Sequence, residues 1–393
     1  MKSSLRIRLR DMSLTAAICV TVALTYAQTS PTQSWPDCPR IVSVGDGPTS
    51  RSALAVLDNI AGLTRDTAKS NFQVRLSDGL NVAFLGMNGA IQSAYPLSVE
   101  GLTRTSKIRI AALTDQKIAV AVETSNGLLL ATLNENGVVV ASKRIMGSYD
   151  LRGLRRLNSN TMLLLVNRPD KAILIQASDA LESVREVTLE KSKKFSELLR
   201  IEFDYERGTY LALLREFDKV TMEDSVIALA RFDFNGKRLD AFEYAGNLGD
   251  FVVVDDAIVL GAVNLSVNPS VVDVIRLNKV LQVRSRRSFP SVAIQLASIQ
   301  IAATLKTKTV QIVVGNEFQA TVAHVSLGST DLAIAVETLP KAQSSNLAAS
   351  YWLIERPINS WVLAQKPLFL KAKDGRPVAC YTLEIYPIGK EPK

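Results

Sequence analysis

A single histidine, His324, serves all 393 residues, and that scarcity limits the chemistry available. A histidine-rich zinc centre and any mechanism using two imidazoles are excluded. A serine triad would have to recruit His324, and no Gly-x-Ser-x-Gly elbow occurs. His324 falls in the apolar stretch 320–325, which reads as a strand, so the expectation is a partly buried ring packed on its neighbours and no metal site. Carboxylates are the remaining catalytic stock. Asp255-Asp256, Glu223-Asp224 and Asp46 are the groups of note, because glycoside hydrolysis needs an acid and a base or nucleophile facing one cleft. Adjacent carboxylates on a strand point to opposite faces, and Asp bonds its own backbone in turns, so Asp255-Asp256 is read as a turn. Catalytic residues stay unassigned. Neither an Asp-x-Asp-x-Asp-Gly calcium loop nor a phosphate-cradling glycine loop is present, and no cofactor is implied.

Cys38 and Cys380 are too far apart in sequence to form a redox Cys-x-x-Cys pair. Their compartment is suggested by residues 1–27, where Lys2, Arg6, Arg8 and Arg10 precede an apolar run, 14–24, and Thr25-Tyr26-Ala27 stands before Gln28. That is the layout of a secretory signal peptide. The run is interrupted by threonines and is shorter than the roughly 20 residues of a membrane span. No second candidate span follows, and Ile18 stands before Cys19 where a lipoprotein signal takes a small residue. The expectation is cleavage near Ala27 and a secreted or periplasmic mature chain. In that oxidising setting the two remaining cysteines suggest a Cys38–Cys380 bridge. It would close a loop of about 343 residues, worth up to roughly 5 kcal/mol by chain entropy.

Removing the leader takes away four of the 46 basic and one of the 38 acidic residues, leaving 42 against 37. So mild an excess, with the signs interspersed, argues against a nucleic-acid partner. Arg284, Arg286 and Arg287, with the pair Arg155-Arg156, are the basic groups able to meet an anionic surface, and charged strand edges that block pairing explain them as well. Trp352 and Trp361 suit core packing or a carbohydrate surface, packing being favoured. Asn264-Leu265-Ser266 is a glycosylation acceptor or a surface turn.

What must position these residues is a repeat. Strands at 108–113, 118–123, 128–133 and 138–143 are separated by turns at Asp115-Gln116, Asn126-Gly127 and Asn136-Gly137. The pattern restarts near Leu151, Glu197, Leu248, Val292 and Ser350, at spacings of 43, 46, 51, 44 and 58 residues. A period of this length with four short strands predicts an all-β, β-propeller fold. Seven four-stranded blades fit best, with six or eight as alternatives and a pair of β-sandwiches as the rival architecture. Asn88-Gly89, Asn136-Gly137 and Asn235-Gly236 recur at one hairpin position, where two positive φ values are expected.

The ends fit less cleanly. Residues 72–76, 80–86 and 90–95 read as the later strands of a first blade, and 40–43 as a strand completing the last blade and locking the ring. Leu54, Leu57, Ile60 and Leu63 follow helical spacing within 50–68, and 366–378 reads as a loop. The organisation is thus a leader, 1–27, an N-terminal segment, 28–71, and a propeller, 72–393. None of the repeat signatures of named propeller families occurs. The functional expectation is a non-catalytic, monomeric propeller that presents loops such as 218–225 and 264–269 to a protein or polysaccharide partner. The alternative is a hydrolase or lyase using carboxylates at the central channel.

Overall fold

The second strands of the repeat, among them Lys117–Thr124, Thr161–Arg168 and Ala257–Val263, are buried on both faces over most of their length. A sheet built on such strands needs cover on each side. The protein meets that need by standing its sheets side by side in a ring. The computed structural model describes residues 40–388 apart from 47–51, 59–78, 87–90, 104, 115, 159, 169–170, 219–224, 265–267, 269–270, 293–295, 297, 305–308, 329–330, 342–348, 355–359 and 372–376. Seven antiparallel sheets follow in chain order, six of four strands and the seventh of three among the described residues. This is a seven-bladed β-propeller, with no helix among the described residues.

Each blade is a meander from axis to rim. The first strands are Arg40–Asp46, Ile108–Ala112, Asp150–Asn158, Phe195–Asp204, Leu248–Val254, Ser298–Thr304 and Ser350–Ile354. They touch one another in succession, and the seventh touches the first. One apolar cluster fills each of the seven junctions. The closing one joins Ile41, Leu54 and Val56 of blade 1 to Ile354, Leu363 and Leu383 of blade 7. Fourth strands such as Arg238–Ala245 and Val283–Pro290 form an exposed, charged rim that discourages edge-to-edge pairing.

The closure differs from the expected strand exchange. Arg40–Asp46 pairs with Ser52–Asp58 as the first strand of blade 1 and does not complete the last blade. A partner across a short turn costs far less loop entropy than one at the other end of the chain. Ser52–Asp58 also corrects the helical reading of that stretch. Residues 53–56 are buried on both faces, and a continuous buried run satisfies i, i+3 spacing as readily as a helix does. Similarly, much of 366–378 belongs to the hairpin of Trp361–Lys371 and Pro377–Pro387. Cys380 lies on the latter strand opposite Leu368. Cys38, the leader 1–27, 59–68, 72–76 and Asn88-Gly89 fall outside the described residues.

The hairpin expectation is corrected in one respect. At Asn136-Gly137 and Asn235-Gly236 only the glycines take positive φ, +74° and +84°. The turns are longer than two residues. Asn134 and Asp233 each accept two turn N–H groups on Oδ1, from Asn136 and Val138 and from Asn235 and Lys237, at 2.8 to 3.0 Å.

A side chain from one blade repeatedly takes up a backbone N–H of the next blade's first strand. Glu123 accepts from Leu151 at 3.0 Å, Asn167 from Leu198 at 2.9 Å, Asp250 from Ile301 and Gln300 from Leu353 at 2.8 Å, and Gln365 from Ile41 at 2.7 Å. Gln365 also donates Nε2 to the Ile41 carbonyl at 3.4 Å, so its amide ties blade 7 to blade 1. Gln365→Leu should strand a buried N–H and lower stability by about 1–3 kcal/mol. Urea unfolding would show this as a lower midpoint at constant m-value, and an unmoved midpoint would mean that the apolar junction closes the ring unaided.

Candidate functional site

Bulges disturb the first strands. Val42, Arg152 and Leu199 are each an extra residue opposite the second strand, and a bulge re-aims the side chains that follow it. Arg200, next to one of them, reaches the channel. Its Nη1 donates to both oxygens of Asp250, at 3.1 and 3.0 Å, and to the Ile301 carbonyl at 3.0 Å. Its Nε and Nη2 donate to Glu202 Oε1 at 3.1 and 2.9 Å. Asp250 further accepts from the Phe251 and Ile301 N–H groups at 2.9 and 2.8 Å. One guanidinium thus joins blades 4, 5 and 6.

Nearer the start of the first strands, Lys107 pairs with Asp150, Arg152 lies 2.7 Å from Asp150 and 3.6 Å from Glu197, and Glu197 pairs with Arg215. Arg109 donates to the Arg152 carbonyl at 2.8 Å. Burial, and after it the charge of Arg152, lowers the Arg109 pKa from its ordinary value. Acid–base catalysis needs carboxylates that can exchange a proton with substrate. In Asp150, Glu197 and Asp250 both oxygens are engaged by cations or N–H groups, whereas Glu202 offers one oxygen to Arg200.

A second concavity, of ≈ 550 Å³, opens between the rim strand of blade 4 and the outer strands of blade 5, Val271–Asn278 and Val283–Pro290. Phe242, Val271, Ile275 and Val283 supply apolar wall, and Asn264 and Asn268 border it. Asp273 sits in its floor, accepting from the Tyr244 hydroxyl at 2.6 Å and from Arg286 Nη2 and Ser288 Oγ. Burial works to raise the Asp273 pKa, but the three donors outweigh it and hold the carboxyl below its ordinary range. Tyr244 is pushed upwards by burial and by its bond to that carboxylate. The Asp273 bond holds the Arg286 pKa up. The floor therefore combines a fixed anion, a neutral hydroxyl and a fixed cation. In an antiparallel meander the connections from second to third strand, and from one blade to the next, leave by the same face. Phe217 and Val226, which flank 218–225, and Val263 and Val271, which flank 264–269, accordingly lie on one face.

The remaining expected residues are scattered. His324 is on the third strand of blade 6, Ala320–Leu327, with Nε2 3.1 Å from Glu337 Oε1 of the fourth. Asp255-Asp256 forms the turn between Leu248–Val254 and Ala257–Val263, Asp255 at φ 53°. Asp46 ends the first strand of blade 1, and Glu223-Asp224 lies outside the described residues. Trp352 and Trp361 pack on the blade 7–1 core, and Trp352 also lines the channel. Arg155 lines the channel, while Arg156 donates to the Asn158 carbonyl at 3.3 Å. Arg284, Arg286 and Arg287 share the blade 5 rim, and only Arg286 enters the cleft.

Sequence reasoning missed Arg200, Asp250, Tyr244 and Asp273. The signal that could have found two of them is a carboxylate inside an apolar run, Gly249-Asp250-Phe251 and Val272-Asp273-Val274, since a buried charge requires a partner. Among the described residues no three His, Cys, Asp or Glu side chains are grouped to hold a metal, and no helix is long and apolar enough to cross a membrane.

No protein-family model matches the chain, and no curated protein does. Solved structures do. Hsv2 of Kluyveromyces lactis is 11% identical with a TM-score of 0.47, over 88% of this chain and 98% of that one. A protein of unknown function from Bacteroides caccae is 12% identical with a TM-score of 0.42, over 70% and 82%. A prolyl endopeptidase is 12% identical with a TM-score of 0.47, over 98% of this chain and 59% of its own length.

Proposed function

We propose that the chain is a secreted or periplasmic propeller whose role is to bind a polysaccharide or protein through the cleft between blades 4 and 5. The observation behind this reading is the cleft floor, where Asp273 holds Tyr244 and Arg286 in place beneath apolar walls. Fixed polar groups in an apolar concavity are the usual composition of a recognition site. The engaged carboxylates of the channel favour binding over hydrolysis or lyase chemistry, because a carboxylate already saturated with cationic donors is poorly placed to serve a substrate. Cosedimentation with purified cell-surface polysaccharides tests it. Replacing both Tyr244→Phe and Arg286→Ala should weaken retention at least about tenfold. Undiminished retention would remove the cleft from the function, and release of new reducing ends from the polymer would turn the reading to the enzyme.

A further inference from the structure

On the channel axis the first strands of blades 1, 3, 4, 5, 6 and 7 line a cavity of ≈ 230 Å³ that opens to solvent. The side chains of Arg200, Asp250 and Gln300 are committed. Arg200 and Asp250 satisfy each other and the backbone of blade 6. Gln300 donates to the Tyr351 carbonyl and accepts from the Leu353 N–H, both at 2.8 Å. Arg155 lines the same cavity, is exposed there, and its side chain makes no hydrogen bond or ion pair with any described residue. A guanidinium has five N–H donors in a planar fork and stays charged. In a ring of seven, blade 3 faces blades 6 and 7 across the axis, and those blades contribute Gln300, Ala302 and Trp352 to the wall, with Ile301 and Ile354 beside them packed into the junction cores. The cavity therefore carries an unpaired cation on one side and Trp352 on the other, within a lining that is mostly polar.

We propose that this cavity binds a small organic monocarboxylate, its carboxylate forked by Arg155 and its apolar body against Trp352. The geometry of one guanidinium matches one carboxylate, two parallel N–H···O bonds to two oxygens. A dianion such as phosphate would bring a second negative charge beside Asp250, which Arg200 already neutralises. Size sets the class. A dry cavity of about 150 Å³ accommodates benzene, and drug-sized pockets begin near 300 Å³, so ≈ 230 Å³ suits a body of phenyl or branched-alkyl size. The site is separate from the rim cleft, and either can fail without the other.

Calorimetric titration of the full chain with phenylacetate tests the proposal, alongside 2-phenylethanol as the neutral isostere and inorganic phosphate. Saturable binding of phenylacetate is expected, with 2-phenylethanol and phosphate each at least about tenfold weaker. Arg155→Gln should weaken phenylacetate by a similar factor. Because the Arg155 side chain bonds to no described residue, that variant should keep its unfolding midpoint, which separates lost binding from lost fold. No saturable binding of phenylacetate, equal affinity in Arg155→Gln, or phosphate bound as tightly as phenylacetate would each overturn the proposal.

Discussion

Asp250→Ala should destabilise the fold by about 1–3 kcal/mol, the cost of leaving buried donors without an acceptor. The substitution removes four acceptor contacts at once. Arg200 Nη1 loses both carboxylate oxygens, and the Phe251 and Ile301 N–H groups lose theirs. Arg200 and Asp250 are only 10% and 12% exposed as side chains, so water from the channel replaces only part of what is lost. Glu202 keeps the guanidinium's charge paired through Nε and Nη2, and Nη1 retains the Ile301 carbonyl, so the loss is that of acceptors and not of the counter-charge. A double-mutant cycle identifies the cause. In an Arg200→Met background Asp250→Ala should cost less, since no guanidinium N–H is left without its acceptor, and the coupling should reach about 0.5–1 kcal/mol. Additive losses would show that Asp250 matters only through the backbone of blade 6. Chemical denaturation of the four proteins reads both quantities.

The ring was legible because its cause is periodic. Residues 118–122, 163–166 and 258–263 must be covered on both faces, and runs of that kind returning every 43 to 51 residues have few architectures open to them. The first strands were harder. Their residues alternate between the two flanking junction cores, and the extra residues Val42, Arg152 and Leu199 break the period-two pattern that would have said which side chains are diverted to the axis. Arg155 was singled out as half of a basic pair, yet its placement on the channel wall follows from a ring geometry that no local window contains. The cleft was less legible still. Tyr244 and Asp273 lie 29 residues apart on different blades, and only the radial packing of those blades brings the hydroxyl to the carboxylate. At the chain end the error had a specific origin. Ser52–Asp58 is an apolar second strand too short to show whether its period is two or 3.6.

Gly236→Ala should cost about 2–4 kcal/mol, from two causes that can be separated. The first is conformational, since φ +84° at Gly236 is left-handed, a region that costs an L-residue about 1–2 kcal/mol. The second is contact between blades. A Cβ on Gly236 would lie 2.2 Å from the Thr188 carbonyl oxygen and 3.0 Å from Val187 Cγ1. The backbone there is anchored, because Glu190 N–H donates to the Gly236 carbonyl at 2.8 Å and Arg238 N–H to the Glu190 carboxylate at 2.9 Å. Relief would have to come from parting blades 3 and 4. The same left-handed position is held by leucine in blades 3 and 5, Leu181 and Leu281, each at φ 58°. Their side chains turn into the junction cores, so the backbone cost there is offset by burial. Gly208→Ala provides the control. It shares the left-handed backbone, φ +61°, but its Cβ would meet only Phe234 Cε2 at 3.6 Å, an ordinary contact. That variant should lose about 1–2 kcal/mol, and the excess loss in Gly236→Ala measures the blade contact. Equal losses in thermal or urea unfolding would mean that the blade 3–4 junction yields to an added methyl, and that the Asn-Gly turn is retained for its backbone alone.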